Sequence, residues 1–111
     1  MSDIQDLTIP YSSLNFTSES SALLEQLLPE HEVISALLML VVRRHAQSLT
    51  DGGAVIPVSV TVDVTGEAQP GETLKFESSV DRKTRTLVFI GGTAMQGDIP
   101  LLKATAVYRI A

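Results

Sequence analysis

The run Val33-Ile34-Ser35-Ala36-Leu37-Leu38-Met39-Leu40-Val41-Val42 decides how this chain folds. Its ten residues, broken only by Ser35, are about half of the roughly 20 needed to cross a bilayer, so it reads as a buried segment and not as a membrane anchor. Upstream, Pro29 suits the first position of a helix, and Glu30 and Glu32 put negative charge in its first turn. Downstream, Arg43, Arg44 and His45 put positive charge near its end, before Asp51, Gly52 and Gly53 stop it. These signals predict a helix of about five turns over residues 29–49. Its apolar side chains point in every direction around the axis, leaving no solvent face in the middle. Such a helix has to be surrounded.

What surrounds it is predicted from the next sixty or so residues, which read as strands. Val58, Val60, Val62 and Val64 alternate with Ser59, Thr61, Asp63 and Thr65, the period of a strand with one buried face. Pro70-Gly71 marks a turn, after which Leu74, Phe76 and Val80 alternate with Lys75, Glu77 and Asp81. A polar reversal at Asp81–Thr84 leads to a third strand, Thr86–Ile90, with a bulge expected at Gly91-Gly92. After a turn at Gln96-Gly97-Asp98, the residues Leu102, Ala104, Ala106, Tyr108 and Ile110 form a last strand. Short connections predict an antiparallel meander of four strands. Nearer the start, Leu7–Phe16 is expected to add a strand and Ser21–Leu28 a short helical turn. The predicted fold class is α+β, one long central helix wrapped by a curved antiparallel sheet, in a single domain spanning 1–111.

Composition narrows the function classes. The chain is 44% hydrophobic and only 5% aromatic, enough to bury an aliphatic core. Thirteen acidic against eight basic residues leave a net charge of -5, which argues against a nucleic-acid footprint. With no cysteine there are no disulfides and no thiolate ligands. The polar, acidic residues Met1–Asp6 lack the pattern of a signal peptide, and a cytoplasmic location is expected. A domain this small cannot cover such a helix alone, so self-association into a homodimer or a dimer of dimers is expected.

The order of helix and strands, together with Thr61-Val-Asp-Val-Thr-Gly-Glu-Ala-Gln-Pro-Gly-Glu-Thr-Leu74 and the tail Lys103-Ala-Thr-Ala-Val-Tyr-Arg-Ile110, resembles the hot-dog superfamily over residues 29–111. The first stretch looks like that family's strand, turn and strand; the tail looks like its last strand. Many members are acyl-CoA thioesterases, and the chain resembles those of the phenylacetate-pathway type; others are dehydratases or non-catalytic acyl binders. The resemblance implies an acyl-CoA or other acyl thioester as ligand and no cofactor. It does not carry over the usual catalytic residues. An ungapped comparison sets Glu32, Val33 and Ile34 opposite the family's His-Gly-Gly and Val41 opposite its acid. A shift of one residue brings His31 into place but leaves Leu40 at the acid. The hydratase and dehydratase patterns are absent as well.

Substitutes for that machinery are few. Glu30, His31 and Glu32 cluster at the helix start, where a His flanked by carboxylates can act as a general base. Charges in a first turn also do ordinary work against the helix dipole. Thr61 and Asp63, on the polar face of the clearest strand, are the expected substrate contacts, against the plainer reading of a solvated or cross-strand-paired face. His45 reads as a dipole partner near the helix end. The two histidines lack carboxylates or thiolates at ligand spacing, so no metal is expected. Two function classes stay open: a thioesterase acting on a small or medium acyl-CoA, and a binding or assembly module that keeps the fold without the catalytic acid.

Overall fold

The computed structural model describes residues 13–25, 31–51, 53–69 and 71–111. Six strands and one helix follow in the order β1 (Asn15–Ser18), β2 (Ser21–Leu24), α1 (His31–Ser48), β3 (Val55–Val64), β4 (Leu74–Lys83), β5 (Leu87–Gln96) and β6 (Ile99–Ile110). All strands pair antiparallel in one sheet of order β1-β2-β4-β5-β6-β3, and α1 lies against one face of it.

The helix forms where the apolar run predicts it, and Pro29 and Glu30 lie outside the described residues. Val33, Ile34, Leu37, Leu38, Val41, Val42 and Ala46 are buried, a stripe at helical spacing that meets the sheet. It packs on Phe76, Leu74, Val88, Ile90, Ala94, Leu102 and Ala104, which point inward at alternate positions of β4, β5 and β6. Full burial of each large side chain contributes about 1.5–3 kcal/mol. The expectation of a helix buried all round is not met: Ala36, Leu40, Arg43, Arg44 and Gln47 are exposed along the side opposite the sheet. A sheet of one layer covers one side of a helix.

Other expectations change as well. The strands are not a simple meander, because β3 pairs with β6 and not with β4. Only β4, β5 and β6 run as successive neighbours; the link from β3 to β4 crosses from one edge region of the sheet to the other. Residues 21–24 of the expected helical turn are strand β2, because Ala22 and Leu24 insert beside Phe76 and Leu74 of β4 and the pairing overrides local propensity. Of the expected Leu7–Phe16 strand, Asn15 and Phe16 lie in β1, and residues 7–12 are outside the described set. The expected reversal at Asp81–Thr84 comes later, since β4 continues to Lys83 and Thr84 closes the turn, its backbone N–H donating to Leu87 O.

Gly91-Gly92 is no bulge; β5 runs straight through it, and the register shifts instead at Pro57/Ser59, Val80/Arg82 and Ala94/Met95. What Gly92 provides is closeness. A Cβ there would lie 2.6 Å from Val42 Cγ2 and 3.0 Å from Leu38 Cδ1, so only glycine lets α1 sit this near β5.

Candidate functional site

The start of α1 and the loop between β3 and β4 are tied together. His31 Nε2 donates to the Gly66 carbonyl at 2.7 Å, which fixes the protonated nitrogen and leaves Nδ1 as the basic atom. Thr65 and Gly66 donate their backbone N–H groups to Leu101 O, and Thr65 Oγ1 donates to Pro100 O. Further along the loop the buried Gln96 side chain accepts from Gln69 N at 2.7 Å and donates to Gln69 O and Glu72 O. A buried amide left unpaired would cost about 1–3 kcal/mol, so this triple contact holds the loop on the end of β5.

Glu32 is exposed, and helical spacing decides which way it faces. The Arg44 guanidinium lies 3.8 Å from the centre of the Phe16 ring in β1, so that side of α1 looks toward the β1 edge. Arg43 lies on the other side, where its charge acts on Tyr108 of β6. Glu32, Ser35, Met39 and Arg43, three and four residues apart, therefore form one stripe toward the β6–β3 edge. Burial pushes the Tyr108 hydroxyl above its usual pKa, and Arg43 partly opposes this.

Opposite that flank stands β3. Val60, Val62 and Val64 pair with Ala106, Ala104 and Leu102, all buried against the helix, so the valines point to the helix side too. Yet Val60 is 44% and Val64 64% exposed, because α1 lies over the middle of the sheet and does not reach its β3 edge. Val58, at the irregularity between Pro57 and Ser59, is 60% exposed. The clearest alternation in the sequence thus marks an apolar wall that this chain leaves open.

The candidate residues fall in two places. His31 and Glu32 stand together at the start of α1, while Glu30 lies outside the described residues. Thr61 and Asp63 pair with the exposed Thr105 and Lys103 on the sheet face turned away from α1, so the sheet separates them from Glu32. Any contact they make with a ligand is made from that outer face. His45 is neither exposed nor simply paired with the helix end: its Nδ1 is hydrogen-bonded to the buried Ser78 Oγ at 2.9 Å. Burial lowers its pKa, and Glu19 partly opposes the shift. Leu40 and Val41, set against the family's acid by the sequence comparison, are respectively 37% exposed and fully buried. Among the described residues no group of three His, Cys, Asp or Glu is placed to hold a metal, and no helix is long and apolar enough to cross a membrane.

No family model and no curated protein matches the sequence. Solved structures do match. A phenylacetic acid degradation-related protein of Ralstonia eutropha JMP134 aligns over 92% of this chain and 91% of its own, at TM-score 0.74 and 16% identity. A Streptococcus mutans protein bound to acetyl-CoA aligns over 94% and 93%, at TM-score 0.79 and 13% identity. A hypothetical thioesterase of Streptococcus pneumoniae, solved with coenzyme A, aligns over 88% and 86%, at TM-score 0.71 and 9% identity. At these identities it is the fold that is shared. With one helix on a six-stranded antiparallel sheet of order β1-β2-β4-β5-β6-β3 among the described residues, and these matches along almost its whole length, the chain has the hot-dog fold.

Proposed function

We propose that two copies of this chain join along β3, bind an acyl-CoA thioester in the seam between them, and hydrolyse it with Glu32 as general base. The observation that carries this reading is the open valine wall of β3 beside the Glu32–Ser35–Met39–Arg43 flank of α1. An edge strand with exposed valines and a free row of backbone groups is a template for another strand. A two-fold pairing would give each wall its own partner and close a channel with Glu32 at its rim. Coenzyme A and acetyl-CoA in structures of the same fold support the choice of ligand. A cytoplasmic location belongs to the same reading, supported by a chain without cysteine.

In the reaction, water attacks the thioester carbonyl carbon while the Glu32 carboxylate accepts its proton. Collapse of the tetrahedral adduct breaks the C–S bond; the thiolate takes up a proton and leaves as the free thiol beside the carboxylic acid product. His31 holds the neighbouring loop through Gly66 O and keeps the rim in place.

A second reading, binding without chemistry, is favoured by the apolar Leu40 and Val41 at the middle of α1. A panel of acyl-CoAs with release of free CoA as readout separates the two. Turnover that falls by about 10²-fold or more in Glu32→Gln supports hydrolysis. Turnover unchanged in that variant removes Glu32 from the mechanism, and acyl-CoA binding with no release of CoA establishes the second reading.

A further inference from the structure

The cleft between α1 and β3 carries opposite charges at its two ends. Helix and strand run in opposite directions. His31, at the start of α1, is bonded to Gly66, just past the end of β3. Arg43, near the other end of α1, acts with its charge on Tyr108, whose register partner is Pro57 near the start of β3. Glu32 and Arg43 therefore mark the two ends of one cleft, a span of about 16 Å along the helix. Between them stand Val60, Val62 and Val64 of β3 and Ser35 and Met39 of α1, none of which is charged.

Both groups at the Arg43 end are donors without an internal partner. Arg43 is exposed and, among the described residues, in no ion pair. The Tyr108 ring is buried, but its hydroxyl is bonded to no described group. Since no buried side-chain oxygen is left unpaired there, that hydroxyl opens to the surface. Burial favours its protonated form, so it can donate. A carboxylate has lone pairs for a guanidinium and a phenol together. The phosphates of coenzyme A carry more charge than one guanidinium neutralises, and the next cation in that row, Lys83, stands two strands away on β4. An uncharged middle suits methylene groups. We propose that the acyl group selected here ends in a carboxylate, held by Arg43 and Tyr108, on a chain of about six to ten carbons that fits the span from Glu32. This rests on the acyl-thioester reading with Glu32 at the thioester end, and adds to it the class of acyl group.

The test compares ω-carboxyacyl-CoAs with plain acyl-CoAs of the same chain length on the full chain, by kcat/KM, or by Kd where binding occurs without cleavage. We expect the wild type to prefer the carboxylated thioester by at least about tenfold. The preference should disappear when the carboxylated chain is cut to about four carbons, too short for the span. Arg43→Gln, at an exposed position and checked by circular dichroism, should bring the ratio down to about one, and Arg43→Lys should keep part of it. Tyr108→Phe, which removes only the hydroxyl, should lower the ratio about threefold. Plain acyl-CoAs used as well as carboxylated ones by the wild type overturn the proposal and leave the thioester reading standing. An equal loss on both substrates in Arg43→Gln overturns it too, since Arg43 would then serve the part that the two thioesters share. If neither kind of thioester is bound or cleaved, the thioester reading fails and this proposal falls with it.

Discussion

His45 shows what a single side chain does when it leaves water. Its ring reaches Ser78 from near the C-terminal end of α1, and burial makes it harder to protonate than in the unfolded chain, with Glu19 giving back part of the difference. As pH falls below the unfolded value the unfolded state takes up the proton first, so this residue costs stability on acidification and has no pH effect above that value. The unfolding free energy lost in His45→Gln should therefore be larger at about pH 7.5 than at about pH 5.5. Parallel pH profiles for the two proteins would contradict the assignment. From the sequence, both histidines were placed correctly near the ends of the helix. Their partners were not legible, because Gly66 and Ser78 are 35 and 33 residues away and are brought up only by the sheet register. The same limit hid Gln96, whose loop contacts span 24 and 27 residues.

At the scale of elements, the closeness of α1 to β5 depends on one missing side chain. Gly92→Ala would push a methyl group against Val42 and Leu38, with Glu77 O at 3.1 Å behind it, and should cost about 1–3 kcal/mol. Chemical denaturation measures this, and an unchanged midpoint would mean that the helix is not held so near. Leu38→Asp, which places an unpaired charge at a fully buried position, should abolish folding; a soluble variant that melts cooperatively would refute the packing. Helix α1 and strands β3, β4 and β6 were legible because each carries its own period, 3.6 or 2, over ten residues or more. Two things were not. Order within the sheet was lost because a short link between strands says nothing of a crossover, and β3 crosses. The β1–β2 hairpin was lost because four-residue strands are too short to show a period, and Ala22 and Leu24 gain theirs from β4.

For the whole molecule, alternation told which residues of β3 share a face but not what covers that face. Alternation alone predicts Val58, Val60 and Val64 to be buried; in the chain they stand exposed beside the helix flank. Ile56 at 40% and Ile99 at 55% exposed add to the apolar surface on the strands around them. A chain this small that left such a surface in water would aggregate, and pairing through β3 is the arrangement in which the edge strand, the valine wall and the Glu32 rim are all used at once. Dimer and channel would then be one event, so ligand should stabilise the assembly as well as the fold. Val60→Lys/Val64→Lys, which charges the wall without touching the core, should give a folded monomer that no longer binds acyl-CoA. The most direct measurement is light scattering during size exclusion of the wild type at micromolar concentration. A mass of about twice the 11.9 kDa chain, or a multiple of that dimer, is the predicted result, and a monodisperse species at 11.9 kDa would contradict a site shared across β3.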